Sequence, residues 1–251
     1  MDTQNFSLAC GQNKIVGRVA FPPTTPCPAI ILLHGFTNTA EDCPINRDMF
    51  KLLPQKGYAV VEFDFYGGGK SNGQFKDKTL GEMYKNYLTV LNYIKKDKKI
   101  TSIGVVGKSI KGIFPIMSND PRVKTIALLS TAVKPTNHFY RIWDKKKRFM
   151  DLYFGKSQNP KVQLILGQAF FTELAEIEAK VIKNLPKIKN IIHFQGTADQ
   201  SVPFEQGQYY YIKNTLPQPS KSILIEGVGH QYEGKEKFVI DEILRWFKKF
   251  L

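Results

Sequence analysis

The sequence predicts an α/β fold, a mainly parallel sheet covered by helices on both faces. Three observations predict it. Short apolar runs rich in Val and Ile alternate with longer segments of helical periodicity, as strands buried on both faces require. One such run, 103–106, leads into Gly107-Lys108-Ser109 and then a helix-like segment, which is the pattern of a sharp strand-to-helix turn. Downstream, Asp199 and then His230 each stand in a loop that follows a strand-like run.

Strands are expected at 14–21, 29–33, 58–63, 103–106, 125–129, 190–194 and 222–225. The first is expected to pair with 6–10 as an antiparallel hairpin, because Gly11-Gln12-Asn13 between them is a turn signal. Helices are expected at 47–55, 80–96, 204–213 and 235–251. In 80–96 the residues Leu80, Met83, Tyr84, Tyr87, Leu88, Leu91 and Ile94 recur at three- and four-residue spacing, which makes one apolar stripe. Residues 132–187 break the alternation and carry Phe139, Tyr140, Trp143, Phe149, Tyr153, Phe154, Phe170 and Phe171, then an amphipathic stretch over 172–184. This segment reads as a mostly helical cap inserted over the sheet's carboxyl edge, with 1–131 and 188–251 forming the core. Ligands bind at that edge in open α/β sheets.

A chain of 251 residues suffices for one large α/β domain or two small ones. No window is apolar over the length a membrane span needs. The start lacks a basic and apolar leader pattern, and Cys10, Cys27 and Cys43 form no CxxC pair; a reducing cytoplasm is the expected setting. The net charge of +14, from 36 Lys+Arg against 22 Asp+Glu, can attract anionic partners. Yet the basic residues are scattered. The densest runs, Lys95-Lys96-Asp97-Lys98-Lys99 and Lys145-Lys146-Lys147-Arg148, read as solvated surface. No nucleic-acid-binding signature accompanies them, so no nucleic-acid partner is expected.

Acyl transfer needs a hydroxyl whose proton is taken by an imidazole, and a carboxylate that holds the imidazole in the right tautomer. Ser109 supplies the hydroxyl. Of four histidines, His34 ends a strand, His138 lies in the cap segment and His193 lies within a strand as a core residue. His230, in the Gly-rich loop Gly227-Val228-Gly229-His230, is the expected base. Asp199, in Gly196-Thr197-Ala198-Asp199, is the expected acid, with Glu226 in reserve. The oxyanion needs backbone N–H donors, expected from Ile110 directly after the nucleophile and from Phe36 after His34-Gly35. Gly67-Gly68-Gly69-Lys70-Ser71 and Gly107-Lys108-Ser109 imitate phosphate loops, but Asp64 and Ser102 stand where the first Gly is required. No metal-ligand spacing occurs, and no metal or cofactor is expected.

His34-Gly35-Phe36-Thr37, Asp64-Phe65-Tyr66-Gly67-Gly68-Gly69-Lys70-Ser71-Asn72-Gly73, Gly107-x-Ser109, Gly196-Thr197-Ala198-Asp199 with Val202-Pro203, and Gly229-His230 together resemble the α/β-hydrolase superfamily. The chain is most similar to small bacterial feruloyl (cinnamoyl) esterases and acylglycerol lipases. The resemblance implies hydrolysis of small-molecule carboxylic esters through an acyl-enzyme, with no cofactor, and a Ser109–Asp199–His230 triad under a cap that lines the acyl or aromatic pocket. A peptidase or thioesterase uses the same groups, and a non-catalytic binding protein retains the same fold; both remain alternatives.

Two departures stand out. Similar hydrolases carry Gly or Ala where this chain has Lys111, because residues two before and two after the serine are expected to approach. Lys108 and Lys111 are expected to point to solvent or the helix surface, or else to favour an anionic substrate. The helix after Ser109 is short and contains Pro115, which is expected to remove an internal hydrogen bond.

Overall fold

The computed structural model describes residues 2–144, 149–151, 163–204 and 208–251. The chain starts with the antiparallel hairpin β1 (Asp2–Cys10) and β2 (Asn13–Phe21). Then follow β3 (Cys27–Leu33), α1 (Pro44–Leu52), β4 (Ala59–Phe63), α2 (Leu80–Lys95) and β5 (Ile100–Lys108). A 3-10 turn (Ser109–Gly112) runs into α3 (Ile113–Ser118), and β6 (Val123–Leu129) closes this half. After the intervening segment come β10 (Ile191–Gly196), α7 (Gln208–Thr215), β11 (Lys221–Ile225) and α8 (Glu236–Phe250). The eight strands lie in the order β1-β2-β4-β3-β5-β6-β10-β11, and from β4 to β11 all pairings are parallel.

Strand side chains alternate between two apolar layers, as the period of two demands. Ala29, Ile31 and Leu33 face one layer with Met83, Tyr87 and Leu91 of α2; Ile30 and Leu32 face the other with Met49 of α1 and Ile243 and Phe247 of α8. All eleven are buried. Each of the large apolar side chains among them contributes about 1.5–3 kcal/mol by leaving water. The α2 stripe is the one its spacing predicts, and Thr79 caps the helix by accepting from the Glu82 N–H at 3.0 Å.

Residues 132–187 hold α4 (Pro135–Ile142), α5 (Gln168–Thr172) and α6 (Leu174–Asn184). Where the sequence suggests a mostly helical insertion, the described residues also form a small antiparallel sheet of β7 (Trp143–Asp144), β8 (Phe149–Asp151) and β9 (Gln163–Ile165). The basic run Lys145–Arg148, Tyr153 and Phe154 lie outside the described residues. One carboxylate ties this segment to α2 and another joins its own helices α4 and α6. Glu173 Oε1 accepts from the Gly81 N–H at 2.8 Å, and Glu178 Oε2 accepts from the Thr136 N–H at 2.9 Å. Both are first-turn amides that a helix cannot satisfy internally. Leu174 and Val181 of α6 join the core layer of α2 and α3.

The strand order places the two halves of the site. From β3 the chain moves to β4 on one side, then crosses back to β5 on the other. The loops leaving β3 and β5 therefore diverge to opposite faces and open a crevice at their carboxyl ends. Leu33 pairs with Gly107 in register, so His34-Gly35-Phe36 emerges beside Lys108-Ser109. No helix among the described residues is long and apolar enough to cross a membrane.

One buried charge lies in the sheet itself. Glu62 of β4 pairs in register with Arg18 of β2 and accepts from its Nε at 2.6 Å. Glu62 Oε2 is buried with no hydrogen-bond partner. Burial pushes its pKa from 4.5 up to about 7, against the opposing pull of Arg18. Because the folded pKa lies above the unfolded one, folding stability falls as pH rises between these values and is unaffected below them. The loss is on the order of 3 kcal/mol. Glu62→Gln, which mimics the protonated acid, is expected to match the parent near pH 4.5 and to exceed it near pH 7.5. Urea unfolding of both proteins at the two pH values checks this; parallel pH profiles would refute it.

Candidate active site

Ser109 follows directly on β5 and takes a left-handed backbone, φ 56°, a conformation costly for a residue with a Cβ. The turn is held by packing that leaves no room for side chains. A Cβ on Gly107 would lie 2.5 Å from Gly112 Cα, and a Cβ on Gly112 would lie 2.2 Å from Thr131 Oγ1. The close pair is thus Gly107 with Gly112, two before and three after the serine, and not Gly107 with residue 111 as the sequence pattern suggests. The reason is the tight 3-10 turn that opens the helix, which carries the third residue to the contact. Pro115 is the third residue of α3. There its missing N–H belongs to the first turn, so it removes little internal bonding.

Lys108 and Lys111 both correct the expectation of outward-pointing side chains: each is completely buried. Lys108 Nζ donates to Gln231 Oε1, which links the residue before Ser109 to the residue after His230. Lys111 Nζ donates to Gly35 O at 3.0 Å, lies 3.0 Å from His34 Nδ1, and sits 4.1 Å from the centroid of Phe65. Burial, and then the charge of Lys78, holds the Lys111 pKa well below the usual lysine range.

Asp199 and His230 are brought together. His230 Nδ1 lies 2.8 Å from Asp199 Oδ2. The carboxylate is fixed on all sides: Oδ1 accepts from the N–H groups of Ser201 and Val202 at 2.9 and 2.8 Å, and Oδ2 accepts from Gln195 Nε2 at 3.1 Å. Burial pushes the Asp199 pKa up, but the bonds to His230 and the Val202 amide outweigh it and hold the carboxyl below its ordinary value. Asp199 stays an anion facing the imidazole Nδ1–H. Glu226 is exposed at the end of β11 and is not the partner of His230.

The loop that carries His230 is laced onto the end of β10. Ala198 N–H donates to Val228 O at 3.0 Å, and Gly227 N–H donates to Thr197 Oγ1 at 2.8 Å. A Cβ on Gly196 would lie 2.1 Å from Val228 O, so only Gly permits this approach. Tyr232 is fully buried, and its hydroxyl donates to Phe194 O at 3.0 Å and lies 2.9 Å from Ser130 Oγ. Sequence reading missed Gln195, Gln231 and Tyr232. No spacing signal marks them, since each acts only through a neighbour the fold supplies.

His193 is fully buried in β10, with Nδ1 3.3 Å from Ser222 Oγ and a pKa pushed down to about 3 by burial. It is a core histidine. Phe36 lies beneath a cluster of rings: Phe75, Phe139 and Phe170 pack on it at 5.4 to 5.5 Å between centroids. Phe139 and Phe170, from the 132–187 segment, pack against each other and against Phe36. Lys78 adds its ammonium 4.3 Å from the Phe75 centroid, and burial lowers its pKa to about 8.

Comparison with known proteins shows the family and the fold. The family model described as serine aminopeptidase, S33, matches residues 24–165. An uncharacterized 31.7 kDa protein of Escherichia coli, from the traX-finO intergenic region, is 31% identical over 89% of this chain and 91% of its own. Among solved structures, Est1E from Butyrivibrio proteoclasticus with ferulic acid bound is similar with a TM-score of 0.79 and 22% identity, over 98% of both chains. A putative hydrolase from Agrobacterium vitis S4 is similar with a TM-score of 0.77 and 18% identity, over 99% of this chain and 98% of that one. The strand order, the left-handed serine after β5 and these matches lead to one conclusion: the chain is an α/β hydrolase of the serine aminopeptidase S33 family.

Proposed function

We propose that the protein hydrolyses small or medium carboxylic esters through an acyl-enzyme on Ser109. The observation that carries this reading is the His230–Asp199 hydrogen bond, set at the same sheet edge as the left-handed Ser109. With Nδ1 engaged by the carboxylate, Nε2 is the basic nitrogen of His230. It takes the Ser109 proton as Oγ attacks the ester carbonyl carbon. The N–H groups of Phe36 and Ile110 receive the negative oxygen of the tetrahedral intermediate. On collapse the C–O bond to the alcohol breaks, and His230 gives its proton to the leaving oxygen. Water, deprotonated by His230, then attacks the acyl carbon and releases the acid and Ser109. No cofactor enters these steps.

The positive φ of Ser109 and the Gly107–Gly112 packing favour a working nucleophile over a binding protein with a collapsed elbow. The ring cluster around Phe36 supports an apolar or aromatic acyl group, as does the ferulic acid bound to Est1E. The family description names an aminopeptidase, and amide cleavage would use the same atoms. The 132–187 segment, read as a cap over 1–131 and 188–251, would shape the acyl side of the pocket.

On a panel of nitrophenyl esters, Ser109→Ala and His230→Ala are each expected to lose about 10⁴-fold or more in kcat. Rapid fluorophosphonate labelling of the parent and none of Ser109→Ala should accompany this. A Ser109→Ala protein as active as the parent would dispose of the mechanism, and faster turnover of aminoacyl nitroanilides than of any ester would transfer it to peptides. Asp199→Asn keeps the shape but reverses the hydrogen bonding at Nδ1, and a fall of roughly 10⁴-fold in kcat is expected. A fall of less than tenfold would remove Asp199 from the assigned role.

A further inference from the structure

Lys111 is completely buried two residues after the nucleophile, and the steps above give it no task. A buried amine is costly unless its N–H groups find acceptors. Here it meets Gly35 O at 3.0 Å and His34 Nδ1 at 3.0 Å, with the face of Phe65 beside it. Amine and ammonium forms can both donate to Gly35 O; His34 Nδ1 also lies 2.9 Å from that oxygen, so the role of Nζ toward the imidazole follows its tautomer.

The carbonyl that Lys111 holds belongs to the peptide unit whose N–H is that of Phe36. That unit is trans, the cis bonds among the described residues being Thr25–Pro26 and Gln218–Pro219. In a planar trans peptide the C=O and N–H point in opposite directions. Anchoring the oxygen therefore fixes where the Phe36 N–H points. Asn38 N–H also donates to Gly35 O at 3.3 Å, and a Cβ on Gly35 would lie 2.7 Å from Asn38 Oδ1, so the carbonyl is gripped from a second side. A donor on the carbonyl also polarises the amide and strengthens its N–H.

We propose that Lys111 is a positioning residue of the oxyanion hole: by holding Gly35 O it aims the Phe36 N–H at the oxygen that becomes charged during acyl transfer. This rests on the ester-hydrolase reading above. It gives a role to a buried side chain that the hydrolysis steps leave idle, and it replaces the idea that Lys111 meets an anionic substrate. Its Nζ faces the β3 loop from inside the core.

The test compares the parent, Ser109→Ala, Lys111→Met and Lys111→Leu in nitrophenyl ester hydrolysis, thermal unfolding, and inhibition by an alkyl boronic acid. The boronate forms a tetrahedral adduct whose oxygen occupies the oxyanion hole. Lys111→Met is expected to unfold no lower than the parent, because an apolar chain of similar length replaces a buried amine. Its kcat should fall about 10–100-fold, with KM changed less than about threefold. The boronate Ki should rise by a similar factor while the Ki of the product acid stays level. A purely structural role would instead lower the unfolding temperature and move all constants together, which would overturn the proposal. Kinetics within twofold of the parent, with Ser109→Ala inert, would overturn it and leave the hydrolase reading standing. A parent as inert as Ser109→Ala would overturn both. Where Lys111→Met does not fold, Lys111→Leu, which likewise lacks a donor, is read by the same criteria.

Discussion

At the carboxyl end of β5 the chain reverses so sharply that Gly107 and Gly112 meet without side chains between them. This contact sets the rest of the site. It forces Ser109 into the left-handed region, which lifts the side chain out of the sheet onto its edge. It sends the helix that follows inward against Thr131 and the β6 end. It also directs Lys111 toward the β3 loop, because the first turn is wound as a 3-10 helix and the third residue, not the second, makes the contact. Strain at a nucleophile persists only where surrounding packing over-determines it, and here the packing is two bare glycines against a threonine.

The acid–base side is organised differently. Asp199 and His230 sit three and five residues beyond the ends of β10 and β11, too far for strand pairing alone to orient them. Hydrogen bonds between the two loops do this, through Val228, Thr197 and the buried Tyr232 hydroxyl. The Lys108–Gln231 bond then joins this assembly to the elbow. Two loops and one turn are thus locked into a single frame by polar contacts that run from the buried Tyr232–Phe194 bond to the exposed Gly227–Thr197 bond.

Buried lysines mark this site. Lys78, Lys108 and Lys111 are each almost wholly shielded from water, and burial lowers all three pKa values. Aromatic faces and backbone carbonyls replace the lost hydration, with Phe75 under Lys78 and Phe65 under Lys111. Local compensation of this kind places polar side chains beside the backbone of the sheet edge.

Alternation of Val- and Ile-rich runs with helical stripes was enough to place the eight core strands, the β1–β2 hairpin and helices α2 and α8, because each element must bury one face or both and the periods of two and 3.6 record that need locally. Ends were less legible: α1 starts at Pro44 and stops at Leu52 before a 3-10 turn, since Pro54 and Gly57 interrupt it. Ser109, Asp199 and His230 could be singled out because glycine-rich turns after strands leave a signature in neighbouring residues. The direction of Lys111, the grip of Lys108 on Gln231 and the support of Asp199 by Gln195 left none. A side chain's direction depends on which distant backbone lies within reach, and only the register of β3 against β5 and the lacing of two far loops decided that.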